Sequence, residues 1–288
     1  MPNLSQKLFK ILTDIGEQDR FRSVKKYQKL TSSTVVGKPV VVHKFNLKED
    51  VLQLIPLFDV HWGLRTTNEE AFLKTVEHIA NTPNCFTILG GDLMESATRQ
   101  SVGLGIFDEK MHVQEQRHSL TEILRPLAEQ GKILGGVTGN HEMRVQVFNN
   151  ENPMAELCYD LNVPYWGYSA FLKLVVNDII YHVYVHHGSS SASTRSGKMN
   201  AALRFSQVAN ADLYLSGHTH DRLAVPEIIY EIDDETDTLV AKKRTYVVVG
   251  SFVEYFGGYA EMKGLSPAPT GAVLVELNGK EKDIRVYL

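Results

Sequence analysis

Five times along this chain a short apolar run ends on Asp, Asn or His. The run from Val51 leads into Asp59-Val60-His61, and Phe86-Thr87-Ile88-Leu89 leads into Gly90-Gly91-Asp92. Lys132 to Val137 leads into Gly139-Asn140-His141-Glu142. Ile179–Val185 leads into His186-His187-Gly188, and Leu213-Tyr214-Leu215 into Gly217-His218-Thr219-His220. Apolar runs of this length, bounded by turn residues, read as buried strands. Open α/β sheets gather their ligands just beyond such strand ends. The two glycines before Asp92 allow a tight turn there, and Asp92 is the residue able to link the other four ends.

Helical patterns separate the first three of these strands. Asn68 reads as the cap of a helix with Phe72, Val76, Ile79 and Ala80 on its buried side. Met111 to Gln130 reads as a second helix, with Leu120, Ile123, Leu124 and Leu127 inward and Gly131 closing it. This βαβαβ rhythm predicts parallel strands with short crossovers. After about residue 170, Phe171–Val176 and Ile179–Val185 flank the hairpin signal Asn177-Asp178. A Ser-rich loop from Gly188 to Lys198 follows, then a short helix near Asn200 to Ala209. Leu223–Ile232 pairs with Leu239–Phe252, and Ala272–Leu277 with Ile284–Leu288 across Asn278-Gly279. No internal repeat or linker divides the body. The economical packing is a two-sheet α/β sandwich with helices outside both sheets.

Charge separates an arm from this body. The net charge is −4 over 288 residues, but residues 1–48 carry ten Lys/Arg against Asp14, Glu17 and Asp19. The remainder is therefore strongly acidic and unlike a general polyanion binder. Residues 1–45 read as a basic helical arm and 46–288 as the body. In the arm, Leu4, Leu8, Ile11, Leu12 and Ile15 share a helical face. Residues 20–29 interleave Lys and Arg with Phe21 and Tyr27, a pattern able to meet phosphates and stack bases in a nucleic acid. The simpler reading is a helix docked on the acidic body or on a second subunit, making a homo-oligomer. No apolar run is long enough to span a bilayer, which predicts no membrane partner. Met1 to Lys7 lacks the features of a secretory signal, and Cys85 and Cys158 are the only cysteines. A soluble, cytoplasmic protein is expected.

The strand-end residues are Asp59, His61, Asp92, Asn140, His141, His186 or His187, His218 and His220. Imidazole with carboxylate and no thiolate suits Mn, Fe or Zn. Asp-x-His and His-x-His place alternate residues of an extended chain on one side, so each pair can face one pocket. One shared carboxylate between two cations about 3.5–4 Å apart makes a two-metal hydrolytic site. Each residue alone has an ordinary explanation: a packed histidine beside Trp62, a turn asparagine after Gly139, surface histidines at 218 and 220. Their joint occurrence, each behind an apolar strand, does not.

Asp59-Val60-His61, Gly91-Asp92, Gly139-Asn140-His141-Glu142, His187-Gly188 and Gly217-His218-Thr219-His220 resemble the five ordered blocks of the calcineurin-like metallophosphoesterase superfamily. The resemblance covers residues 51 to about 220, and the β-rich segment after it fits the family's second sheet. It implies an α/β/β/α sandwich and two divalent metal ions, manganese foremost, with Fe, Zn or Mg as alternatives. Position by position, it implies that Asp59, His61 and His220 hold one metal and Asn140, His187 and His218 the other, with Asp92 bridging. His187 is preferred to His186 because the family's histidine directly precedes glycine. His141 resembles the family's proton donor to the leaving group. Glu95 stands where relatives place the residue orienting that histidine, although they use Asp or His there. The implied chemistry is attack on phosphorus by a hydroxide bridging the two metals, with His141 as general acid, a role worth roughly a hundredfold to ten-thousandfold.

Substrate is less tightly specified. The Ser-rich loop reads equally as a phosphate-contacting flap or a connector, and it is not a P-loop because Met199 follows Gly197-Lys198. Arg99, Arg117 and Arg144 lie near the blocks and offer guanidinium groups for substrate oxygens. Tyr255, Phe256 and Tyr259 offer a stacking rim or a contact with another subunit. The Gly-Gly-Asp-Leu and Gly-His-Thr-His blocks resemble the phosphodiesterase and nuclease-like branch. The expectation is therefore hydrolysis of a phosphodiester in a nucleic acid or nucleotide. The alternatives are a phosphomonoesterase of the same fold and a non-catalytic binding scaffold.

Overall fold

The computed structural model describes residues 38–99, 101 and 105–288. The chain divides into two compact units, Met1–Val40 and Val41–Leu288. The expected helix at Leu4–Ile15 and the basic stretch 20–29 lie outside the described residues. The body begins earlier than the predicted residue 46. Val41–Phe45 forms strand β1, in parallel register with Leu172–Val176. Phe45 is buried in the core and Val41 packs against it, which draws this stretch away from the arm and into the body.

Two sheets face each other. The first has five strands in the order β12-β11-β2-β3-β4, where β2 is Val51–Leu54, β3 Cys85–Leu89, β4 Ile133–Gly136, β11 Leu274–Asn278 and β12 Ile284–Tyr287. The second has seven: β1, β5 (Ser169–Val176), β6 (Ile179–His186), β7 (Leu213–Ser216), β9 (Thr238–Ser251) and β10 (Gly271–Ala272) in that order, with β8 (Arg222–Asp233) paired to β9. The pairings β2–β3 and β3–β4 are parallel, as the βαβαβ rhythm predicts. The C-terminal pair forms as expected, with Val275 opposite Val286, but it belongs to the other sheet from the one expected. β11 joins the first sheet, antiparallel to β2 through Val275↔Leu54, rather than extending the second.

Apolar side chains fill three layers. Leu52, Leu54 and Ile88 of the first sheet meet Leu172, Val183, Val185, Leu213 and Val247 of the second. Outside the first sheet lie helices α1 (Glu69–Asn81), α2 (Val113–Glu129) and α4 (Pro153–Asp160), contributing Phe72, Ile79, Leu120, Leu124, Leu127 and Leu157. Outside the second, α5 (Arg195–Leu203) lays Met199 and Ala202 on Tyr184, Tyr214 and Tyr246. The result is an α/β/β/α sandwich. Helix α3 (Asn140–Asn149) stands apart from this plan: Glu142 and Val145 are its buried residues, and its first residues belong to the strand-end cluster.

Local chemistry explains most boundaries. Asn68 Oδ1 accepts from Ala71 N and caps α1. At that helix's other end, buried Lys132 donates to the carbonyls of Ile79, Ala80 and Thr82. Helix α5 starts five residues before the predicted Asn200, because Thr194 Oγ1 caps it by accepting from Gly197 N. The run from Val51 stops being a regular strand at Leu54, since Pro56 has no N–H for the ladder. Its neighbour still guides it: Leu57 N donates to Ile88 O and Asp59 N to Gly91 O, delivering Asp59 and His61 beside Asp92. Among the described residues no helix is long and apolar enough to cross a membrane.

Candidate metal centre

The loops at these strand ends hold unusual backbone. Asp59, His61, Asp92, His218 and His220 have φ of 48°, 51°, 49°, 68° and 48°. Left-handed non-glycine residues cost on the order of 1–3 kcal/mol each unless their surroundings hold them. Hydrogen bonds between the loops do so here. His61 N donates to Asp92 O (3.0 Å), His218 N to Asp59 Oδ2 (2.8 Å) and His141 N to Asp92 Oδ1 (2.7 Å). Ser251 Oγ and Phe252 N both donate to Asp59 O. Two glycines make the close approach possible: a Cβ on Gly217 would strike Asp59 Oδ2, and one on Gly139 would strike Asp92 Oδ1.

Side-chain donor atoms from all five loops then converge. Asp59 Oδ1 lies 3.3 Å from His220 Nε2 and 3.9 Å from Nε2 of both His61 and His187. His61 Nε2 and His220 Nε2 are 3.1 Å apart. Asp92 Oδ2 lies 3.1 Å from His187 Nε2 and 4.0 Å from His61 Nε2. Asn140 Oδ1 lies 2.6 Å from His218 Nδ1 and 3.1 Å from His187 Nε2. Asp59, His61 and His220 make one set of atoms spaced to share a cation, and Asp92, His187 and His218 another. Asp92 also falls in a third set, with His61 and His141.

The donor chemistry fits a divalent cation. His187 Nδ1–H donates to Gly90 O (3.0 Å), because a carbonyl can only accept, and its Nε2 lone pair is thereby turned into the cluster. His61 Nδ1 faces Glu95 Oε2 at 2.8 Å, with the same consequence for its Nε2. Asp59 Oδ1 is buried without a hydrogen-bond partner, which is costly for a carboxylate oxygen unless something else satisfies it. Four carboxylates, those of Asp59, Asp92, Glu95 and Glu142, are buried here. Burial opposes charge on His61, yet the Asp59 carboxylate beside it and the Glu95 carboxylate bonded to its Nδ1 raise its pKa to about 10. Burial likewise lowers that of His187, and the Asp92 and Asp59 charges override it, to about 9. Burial would raise the Asp59 and Asp92 carboxyls, but neighbouring histidines hold both below the usual carboxylate range. Protons on two imidazoles thus answer negative charge that a cation would answer equally well.

Two further residues were expected at the site. His141 Nδ1 is 2.8 Å from Glu95 O and 3.3 Å from Glu95 Oε2, so Nδ1–H is the donor and Nε2 faces the cluster, 3.8 Å from Asp92 Oδ2. Glu95 therefore holds two histidines. Its backbone carbonyl takes His141, while its carboxylate lies nearest His61. His186 turns the other way, its ring 5.0 Å from that of Phe205, and His187 enters the cluster.

The remaining candidates separate. Arg144 reaches Glu95 O and Ser101 Oγ, on the flank of the cluster. Arg117 pairs with Asp160 and Glu156 on the helical surface, and Arg99 is exposed. Lys198, at the end of the loop that reads equally as a flap or a connector, is buried against Asp221, the residue after His220. It ties α5 to the Gly217–His220 loop.

Glu142 has a place that no reading of the sequence gave it. Its carboxylate accepts from four backbone N–H groups: Asp92 (2.9 Å), Leu93 (2.7 Å), Met94 (3.1 Å) and Gly139 (3.1 Å). It clamps the Asp92 turn to the start of α3, and Asp92 Oδ1 answers by accepting from His141 N. The available signal was a glutamate three residues after a helix cap.

No family model and no curated protein matches the chain. Among solved structures, Vps29 from Entamoeba histolytica is 12% identical with a TM-score of 0.38, over 82% of this chain and 97% of that one. A metallophosphoesterase from Sphaerobacter thermophilus is 16% identical with a TM-score of 0.39, over 82% and 87%. At such values the likeness is one of outline alone, and what the site does must be read from its own residues.

Proposed function

We propose that the protein is a metal-dependent phosphoesterase acting on a phosphodiester of a nucleic acid or nucleotide. The observation that carries this reading is the convergence on Asp59 and Asp92 of imidazole nitrogens from four of the five loops, around a buried carboxylate oxygen that makes no hydrogen bond. Asp59, His61 and His220 would hold one cation and Asn140, His187 and His218 the other, with Asp92 between them. Bound there, such cations acidify a water and draw off phosphate charge. The chain's own contribution is then orientation and a proton. Glu95 O fixes the His141 tautomer, and protonated His141 releases its Nε2 proton to the departing oxygen. Arg144, against Glu95, restrains the residue that holds both histidines. The diester rather than the monoester is favoured by the Gly-Gly-Asp-Leu and Gly-His-Thr-His blocks.

The test compares turnover of bis-nitrophenyl and mono-nitrophenyl phosphate with Mn, Fe, Zn and Mg, alongside metal content. Faster turnover of the diester is the expected result. Preference for the monoester would replace the substrate class, and bound metal without turnover of either would leave a binding scaffold.

A further inference from the structure

Among the described residues the two most exposed large apolar side chains are Phe107 and Phe256, at 76% and 75%. They are 149 positions apart in sequence, yet both segments are stitched to one loop, the residues that follow His61. The first half of that loop bonds to the Phe107 segment: Arg65 N donates to Asp108 O (3.0 Å), Lys110 N donates to Gly63 O (2.7 Å), and Leu64 bridges Glu109. The second half bonds to the Phe256 segment: Glu254 N donates to Thr66 O (2.8 Å), Asn68 Nδ2 donates to Glu254 Oε1 (3.0 Å), and Thr67 bridges Val253. The Phe256 segment is also fixed at its root, where Phe252 N donates to Asp59 O. Half-buried Tyr255 supports the Phe256 ring edge-to-face, 5.1 Å between centroids. Between the two segments, Arg65 is exposed and has no ion-pair partner among the described residues.

We propose that Phe107 and Phe256 are a stacking platform for unpaired bases of a single-stranded nucleic acid whose phosphodiester lies at the Asp59–Asp92 cluster, with Arg65 on a neighbouring phosphate. The proposal rests on the phosphodiester reading of that cluster and adds the substrate class. Exposed rings are costly in water and stack on any base through its π-face, so they bind without sequence preference. A strand is the occupant that position favours. A phosphate held beside His61 carries its flanking nucleotides over the loop to which both rings are anchored, and the guanidinium between them matches a backbone charge.

The test measures anisotropy of metal-loaded protein with a phosphorothioate-linked oligothymidylate and with an abasic strand of the same length. The base-bearing strand is expected to bind roughly tenfold more tightly or better. Phe107→Ala and Phe256→Ala should each remove much of that preference, while Phe256→Tyr keeps it. Arg65→Ala should weaken both strands alike and lower the salt slope by about one. Equal binding of the two strands, with bis-nitrophenyl phosphate still turned over, would overturn the platform and spare the phosphodiesterase. No turnover of that diester would overturn both. Phenylalanine variants that turn a dimer into a monomer and leave the base preference intact would make this surface a contact between copies and end the proposal.

Discussion

The two ends of the sandwich use similar left-handed turns for opposite purposes. Away from the cluster the turn residues are Asp50 and Asn177, with φ of 51° and 53°. These residue types tolerate that conformation. Their polar atoms are satisfied nearby: Asn177 Oδ1 accepts from Leu47 N, and Asp50 Oδ1 from Asn177 Nδ2. At the cluster, three of the left-handed residues are histidines, His61, His218 and His220. There the backbone is pinned by other loops, and the side chains keep donor atoms for something else. One end closes its hydrogen bonds on itself, and the other holds them open. The far end should therefore govern stability with no effect on chemistry, and the cluster end the reverse.

The largest expected effect is at Asp92, shared between the donor sets. Asp92→Asn should lower bound metal, read by elemental analysis, together with turnover of the diester. Full metal content in that variant would break the division of the donors into two sets joined by Asp92. His141→Ala should keep its metal and lose roughly a hundredfold to ten-thousandfold in turnover. Wild-type turnover there would remove the proton donor. The pair sharpens the comparison, since one residue holds charge for a ligand and the other a proton for a reaction.

Glu142 tests whether the two ends are as distinct as they look, because it lies at the cluster but bonds only to backbone. Burial and the Asp92 charge raise its carboxyl pKa, while four N–H donors hold it in place. In Glu142→Gln the amide NH2 must face at least one of those donors. Leaving a buried donor unmade costs about 1–3 kcal/mol, which a shifted urea midpoint would show. Metal affinity should fall roughly tenfold to a hundredfold, as the Asp92 turn loosens. Lost stability with unaltered metal affinity would make Glu142 a structural clamp only.

The sequence made the cluster more legible than the framework around it. Strand ends, alternate-residue pairs and helix caps are local patterns, so Asp59-x-His61, Asn68 and Gly131 stand out without tertiary knowledge. Sheet membership is not local. Leu274–Asn278 alternates as a strand in either sheet, and only its ladder with Val51–Leu54 places it in the first. Val41–Phe45 is likewise a short run whose parallel partner lies more than a hundred residues away. Glu142 stayed hidden because nothing in Gly-Asn-His-Glu says that its side chain folds back to amides of another loop. Glu95 was legible in place and incomplete in role, since its second partner, His61, comes from a loop 34 positions earlier.

The smallest effect should come from the far end. Tyr181 is buried between the sheets, its hydroxyl within 2.7 Å of Asn278 O and 3.0 Å of Asp283 O, and it accepts from Asp283 N. It ties β6 to the β11–β12 turn and touches nothing at the cluster. Tyr181→Phe should cost about 1–2 kcal/mol of stability and leave turnover and metal content unchanged. Burial, aided by the Asp283 and Asp212 charges, pushes the phenol from its ordinary 10 up to about 12. A raised folded-state pKa favours the neutral phenol in the fold. That share of stability is complete below pH 10 and disappears as pH climbs through about 12. The gap in urea midpoint between wild type and Tyr181→Phe should accordingly narrow over that interval. A gap that does not change with pH would mean that the hydroxyl contributes through shape alone, and a change in turnover would mean that the two ends are coupled.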